Sequence, residues 1–167
     1  MMKRISDKLE AMINLQIGRE EDSSRLYRAM SLFPDDMGWK YGAQLWMKYS
    51  EEEMTHAKRF WNYLLDRDAL PQVVQLSAQK PTLTCVTDVI AQTYPHEIQV
   101  SKWISEIALA ALAEKDLTTY QFLQWFIEEQ ISEEAHSKYW VDRVEILKKT
   151  NSPLIMLEQD FKKALKG

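Results

Sequence analysis

The chain has 167 residues, a net charge of -4, 46% hydrophobic and 28% charged residues, and only 4 Gly and 5 Pro, which suits one all-α domain spanning 1–167 with a real core. The acidic balance excludes the basic stripe of a nucleic-acid surface, and no run of about 18 apolar residues marks a membrane span. The single cysteine, Cys85, excludes an internal disulfide; with no export-type leader this places the chain in a reducing, cytoplasmic compartment and makes Cys85 a small buried residue rather than a ligand.

The first helix is expected over about 6–32, with Leu9, Ile13, Glu20 and Tyr27 on its inward line. Pro34 should stop it in Phe33-Pro34-Asp35-Asp36. A tight return then leads into a second helix over about 38–66. At helical spacing its apolar stripe reads Trp46, Tyr49, Glu53, His56, Phe60, Leu64. A Glu-x-x-His step therefore sits where Leu would ordinarily stand.

From Arg67 to Thr84 the helical period fails, and Pro71 and Pro81 punctuate a stretch of Gln, Ser, Val and Thr. A structureless connection of that length in a compact domain needs a topological reason. The second helix should be roughly 43 Å long, and the connection can reach roughly 55 Å when extended. It can therefore cross the whole bundle and start the third helix parallel to the second. Thr84 is the expected N-cap of that third helix, running to about Ala113, where Glu97 shares a line with Ile90, Ile104 and Ala111. Asp116 caps a fourth helix to about Lys149, with Glu133 among Phe122, Phe126, Trp140 and Val144. The bundle thus covers about 6–149. Ser152 and Pro153 open a short fifth helix over about 153–165, whose Leu154, Leu157, Phe161 and Leu165 must pack either over the end of their own bundle or at a subunit interface.

Each of the four long helices pushes a Glu inward: Glu20, Glu53, Glu97 and Glu133. Ionised carboxylates in a dry core are costly unless paired or bound to metal, and the cations Lys58, Arg59 and Arg67 fall at outward positions or helix ends. A Glu from each of two helices with Glu-x-x-His from the other two is the set by which a bundle holds two iron or manganese ions. Here the pairs are Glu53 with His56 and, as a candidate, Glu133 with His136. Oxygen-rich donors without thiolate suit iron or manganese better than zinc, and Glu53 is the natural bridge between two ions.

Gln16 through Tyr27, Glu52-Glu53-Met54-Thr55-His56, Gln92-Thr93-Tyr94-Pro95-His96-Glu97, and Phe122-Leu123-Gln124-Trp125 followed by Glu129-Gln130 resemble the bacterial non-haem ferritins, in order and over nearly the whole chain. The resemblance implies a ferritin-like four-helix bundle with a long crossover and a short C-terminal fifth helix. It further implies a di-iron ferroxidase centre that oxidises Fe(II) with dioxygen or hydrogen peroxide and stores Fe(III) mineral in a homo-oligomeric shell of 24 subunits. By that resemblance Glu20, Glu53 and His56 hold the first iron, and Glu53, Glu97 and Glu133 the second, with Gln130 beside it. Glu52 and Glu129 help hold a third iron, and Tyr27 and Trp125 are aromatic neighbours with a supporting redox or hydrogen-bonding role. Ser132 departs from the pattern, because the family has an acidic residue there; third-site iron should be weakened. Glu134, adjacent to Glu133, should point roughly 100° away around the helix.

Two registers remain open for the fourth helix. The ferritin register ends the ligand set at Glu133, whereas bacterioferritins and rubrerythrins end theirs with Glu-x-x-His, which would recruit His136. Met54 stands where bacterioferritins ligate haem, but the remaining resemblance is non-haem and no haem is expected. His96 should face away from the centre, as a surface or interface residue. The competing functions are a bacterioferritin- or rubrerythrin-like di-iron peroxidase, a DNA-protecting miniferritin, and a helical interaction module without metal. One cysteine excludes the cysteine-rich module that rubrerythrins add.

Overall fold

The computed structural model describes residues 3–166. Five helices follow one another in the order α1 (Asp7–Asp36), α2 (Lys40–Asp66), α3 (Val86–Ala113), α4 (Leu117–Leu147) and α5 (Pro153–Ala164), with no strand among the described residues. α1 and α2 form one antiparallel hairpin and α3 and α4 another. Trp46, early in α2, donates its indole N–H to Thr93 Oγ1, early in α3, at 3.0 Å, so those two helices run parallel and the segment between them crosses the bundle. It does so along α1. Asn14 Oδ1 accepts the Gln72 N–H at 2.7 Å, Val74 lies against Gly18, and Gln79 reaches Asp22 at 3.1 Å.

Helix ends depart from expectation where a stop signal outweighs a proline. α1 continues through Pro34 to Asp36, because only one backbone N–H is lost there and the true terminator is Gly38, at φ +81°. The Trp39 N–H bonds Pro34 O at 2.7 Å and the Gly38 N–H bonds Asp35 O at 3.0 Å, the pair that closes a helix through a left-handed residue. α2 accordingly starts at Lys40 rather than Gly38. Its far end repeats the device at Asp68 (φ 56°), and α3 does so at Lys115 (φ 59°). Neither of those is glycine. Gly38→Ala is therefore expected to lower stability by about 1 kcal/mol, and Lys115→Gly to raise it by up to about 1 kcal/mol. Urea unfolding midpoints of the two variants should move in opposite directions.

α3 begins at Val86, with Cys85 rather than Thr84 as its N-cap. Asp88 is responsible: its carboxylate accepts from the Thr84 and Cys85 backbone N–H groups and from the Thr84 hydroxyl at 2.7–3.0 Å. Cys85 is half-buried at this cap, not a core residue. Asp116 caps α4 as expected, accepting the Thr119 N–H at 3.0 Å.

α5 folds over the end of its own bundle. Leu157 and Phe161 are buried against Trp46 and Trp140, whose rings stand 5.5 and 4.9 Å from Phe161. Leu154, expected in the same stripe, is instead exposed. Two polar contacts fix the dock. Arg143 on α4 pairs with Asp160 at 2.7 Å, and Glu158 accepts the Tyr41 and Gly42 backbone N–H groups at 2.8 and 3.2 Å. Trp39, the N-cap of α2, has no acceptor side chain, so a carboxylate from α5 satisfies the helix start in its place.

The core divides along the bundle axis. One end packs Leu9, Ile13, Phe60, Leu64, Ile104 and Leu123; the other packs Tyr27, Met30, Leu45, Trp46, Ile90 and Phe161. Between them lies a polar layer: Glu20, Glu53, His56, Glu97 and Gln130 are all buried.

A candidate carboxylate-histidine metal centre

Glu20 on α1, Glu53 and His56 on α2, and Glu97 on α3 reach the polar layer because each occupies an inward position of its own helix and is buried there. His56 Nδ1 lies 3.2 Å from Glu53 Oε2 and 3.9 Å from Glu20 Oε2. One donor atom from each of Glu20, Glu53 and His56 falls within 4.8 Å of the others. Gln16, one turn before Glu20, donates to Glu20 Oε1 at 2.7 Å; Glu20 Oε2 is buried without a hydrogen-bond partner. An acceptor left orphaned beside an imidazole and a second carboxylate is a position a cation would fill.

Glu97 is held from two sides. The Tyr27 phenol donates to its Oε1, while Gln130 Nε2 lies 3.3 Å from its Oε2 and from its backbone carbonyl oxygen. Glu133 on α4 is half-buried and feels the charges of Glu97 and Glu52. Burial first, and those neighbouring carboxylates second, push it up to about 7. Glu20 is raised well above the ordinary carboxylate range by burial and then by Glu53; Glu53 is raised by burial and then by Glu97. Glu97 is raised less, since the Tyr27 and Gln130 hydrogen bonds favour its charged form against the burial. Acidic groups so placed cannot all ionise without a cation among them.

The ring of His56 is packed edge-on against Trp125 and Phe126, with centroids 5.6 and 6.1 Å away. Arg59 lays its guanidinium over the outer face of Trp125, 3.6 Å from the centroid, so the half-buried indole is clamped between a cation and the imidazole. Beside the buried cluster opens a cavity of about 280 Å³ whose wall includes Tyr49, Glu52, Glu129, Ser132, Glu133 and His136. The structure thus brings Glu20, Glu53 and His56 into one buried group, sets Tyr27, Glu97 and Gln130 into a hydrogen-bonded group, and puts Glu52 and Glu129 on the cavity wall with Glu133. His136 is exposed on that wall, away from the buried donors. Glu134 turns aside to accept a hydrogen bond from Ser101 on α3.

Two features depart from the sequence expectations. Gln16 orients Glu20, and its signal was available: an amide four residues before an inward carboxylate, on the same face. His96, expected at the surface or an interface, is half-buried. Its ring packs edge-on against Tyr27 with centroids 5.5 Å apart, and its Nε2 lies 2.8 Å from Ser23 Oγ; burial lowers it to about 4, so it is neutral at physiological pH.

Two helical hairpins joined by one long crossover, with inward carboxylates from each helix, define the class of ferritin-like bundles. A family model described as the ferritin-like domain matches residues 10–147, and the chain belongs to that family. It is 30% identical over 149 residues to the bacterial non-heme ferritin of Escherichia coli O157:H7, a match spanning 89% of this chain and 90% of that one. It is 35% identical over 140 residues to the bacterial non-heme ferritin of Bacteroides fragilis, spanning 84% and 88%. Among solved structures, an open pore ferritin from the archaeon Archaeoglobus fulgidus superposes with a TM-score of 0.90 at 28% identity, covering 94% of this chain and 97% of that one.

Proposed function

We propose that this protein is an iron-storage ferritin whose Fe(II) substrate is oxidised in the polar layer of each subunit before the ferric product is laid down as mineral inside a closed homo-oligomeric shell. The observation that carries this reading is the buried trio Glu20, Glu53 and His56, with an orphaned carboxylate oxygen at its centre. The donor set fits iron: hard oxygens, a single imidazole and no thiolate. Glu20, Glu53 and His56 would take the first Fe(II), and Glu53, Glu97 and Glu133 the second, with Gln130 and Tyr27 steadying Glu97. Family membership and the ferritin relatives support the storage role; a homo-oligomeric shell of 24 copies is the assembly this reading expects.

The reaction balances as two Fe(II), one dioxygen and two protons giving two Fe(III) and one hydrogen peroxide; with peroxide as oxidant, two Fe(II), one hydrogen peroxide and two protons give two Fe(III) and two waters. The chain's own part is positional and electrostatic. Carboxylates held above their ordinary pKa give up protons as Fe(II) enters, and those protons are then at hand for the reduced oxygen. Trp125 and Phe126 close the His56 side against water. Glu52 and Glu129 on the cavity wall would receive a third iron only loosely, because Ser132 offers no carboxylate there.

The test is a stopped-flow titration of the metal-free protein with Fe(II) in air. The rapid ferric absorbance should saturate at about two Fe(II) per chain, with a rate at least about tenfold above oxidation in buffer alone. A rate matching buffer at every loading would overturn the reading and leave a helical module whose polar layer is only structural.

A further inference from the structure

Two buried amides hold two of the proposed iron ligands, Gln16 at Glu20 and Gln130 at Glu97, and each has a charged side chain behind it. The N–H face and the carbonyl face of a side-chain amide have nearly the same shape, so packing does not choose between its two orientations; hydrogen bonds do. With its nitrogen towards a carboxylate the amide donates and favours the charged form. With its oxygen there, two acceptors face each other. Whatever binds the far side of each amide therefore decides what the ligand feels.

Gln16 donates from Nε2 to Glu20 Oε1 at 2.7 Å, and its own Oε1 accepts from Arg19 Nη1 at 3.3 Å. A guanidinium has no acceptor, so only the carbonyl oxygen of Gln16 can face it. The Arg19 guanidinium is in turn laid over Trp103 of α3, 4.3 Å from the ring centroid. On the other side of the layer, Gln130 Nε2 lies 3.3 Å from Glu97 Oε2, from the Glu97 carbonyl oxygen and from Ser101 Oγ. Ser101 gives its one hydroxyl proton to Glu134, which leaves only lone pairs to meet Gln130. The amide nitrogen is thus kept on the Glu97 side. Gln130, Ser101 and Glu134 also line a cavity of about 170 Å³ between α3 and α4, room in which the amide can turn over once that chain is cut.

We propose that Arg19 and the pair Ser101 with Glu134 are positioning residues for the two iron positions: Arg19 locks Gln16 and through it Glu20, while Glu134, by way of Ser101, locks Gln130 and through it Glu97. This rests on the ferroxidase reading above. None of the three touches iron or oxidant. Each acts through one amide on one ligand, so the two positions can be weakened separately although Glu53 serves both. Partners one hydrogen bond beyond a metal ligand commonly set affinity by about 10–100-fold. The 3.3 Å contacts behind both amides are long for hydrogen bonds, which puts the expected loss at the lower end, about tenfold.

The experiment is an anaerobic calorimetric titration of the metal-free protein with Fe(II), in which Glu20→Ala and Glu97→Ala identify the binding step that belongs to each position. Ser101→Ala and Glu134→Ala should each weaken the Glu97 step about tenfold and leave the Glu20 step within about twofold. Arg19→Met, which keeps an apolar stem against Trp103, should do the reverse. Ser101→Thr, which keeps the hydroxyl, should bind as wild type does. In Gln130→Leu protein, whose Glu97 step is already weakened, adding Glu134→Ala should cost nothing more, because a residue that works only through the amide has nothing left to act on. A role confined to holding the fold would be neither rescued by Thr nor cancelled by Gln130→Leu. Unchanged affinities, equal losses at both steps, or a full further loss on the Gln130→Leu background overturn the positioning role of the residue concerned and leave the ferroxidase reading standing. A wild-type protein that binds no Fe(II) overturns both together.

Discussion

Exchanging Glu53 for Leu and His56 for Phe should stabilise the metal-free protein and abolish its fast iron chemistry at once. At pH 7.5 we expect the thermal midpoint to rise by about 3–8 °C, since replacing buried ionisable groups with apolar side chains of similar volume is commonly worth about 1–4 kcal/mol. Rapid Fe(II) oxidation should fall by more than about a hundredfold, the loss appropriate to removing two donors from one site. Both halves follow from the same geometry. Glu53 lies in the same buried cluster as Glu20 and is raised by burial and by the charge of Glu97, so in the absence of metal it is held against its own preference for water. A leucine side chain in place of Glu53 would restore an apolar residue to the inward line of α2, which already carries Trp46, Ala57, Phe60 and Leu64 in the core. A phenyl ring in place of the His56 imidazole would pack with Trp125 and Phe126 as the imidazole does. Calorimetry and stopped-flow absorbance read the two effects separately. A variant that melts lower than wild type yet oxidises iron as fast would show that Glu53 and His56 hold the fold and not the metal.

The opposite signs expected for those two effects share a cause with the legibility of the candidate centre in the sequence. Local rules of sequence ask for Leu at an inward helical position; Glu20, Glu53, Glu97 and Glu133 break the rule on four helices, and a violation that expensive marks function. The long elements were legible for the same reason, because a 3.6-residue period extends over many residues. What escaped was settled by partners distant in sequence or by competition between neighbouring signals. Gly38 outranked Pro34 as the stop of α1, because a left-handed residue closes a helix whereas a proline in the last turn forfeits one bond. Glu158 caps α2 from more than a hundred residues away, and no local pattern announces it. His96 was expected to face outward because its neighbour Glu97 faces in, yet adjacent helical positions are about 100° apart. Both can turn inward when α1 and α3 pack closely, as Ser23 and Tyr27 show by flanking the His96 ring. On α4, Glu133 and His136 line the same cavity wall, Glu133 half-buried and His136 exposed, a difference in burial that the Glu-x-x-His spacing does not carry.

Raising the pH should destabilise the metal-free protein, and a divalent cation should cancel the effect. The sign follows from the direction of the shifts. Glu20, Glu53 and Glu133 have pKa values raised on folding, so the native state holds protons that the unfolded state has released, and stability falls with pH until each group ionises in place. For Glu133 the window runs from the ordinary 4.5 to about 7; Glu20 and Glu53 act in the same direction. His96 works the other way, its pKa lowered from 6.5 to about 4. Stability from His96 is complete above about 6.5 and is lost as the pH falls toward 4, so it contributes no slope on the alkaline side. Above pH 6.5 the carboxylates act alone, and the metal-free protein should lose stability with rising pH, by up to about 1.4 kcal/mol per pH unit for each carboxyl group that still holds its proton. Mn(II), which binds hard oxygen donors without consuming dioxygen under these conditions, should restore about 2.7 kcal/mol at a hundred times its dissociation constant, and more at pH 8 than at pH 6.5, because it replaces protons that are then scarce. Thermal melts at the two pH values with and without Mn(II) measure the coupling. A metal-free midpoint that rises with pH, or a Mn(II) shift that is equal at both, would mean that the polar layer carries its charge without strain, and that the orphaned oxygen of Glu20 is satisfied by something other than a cation.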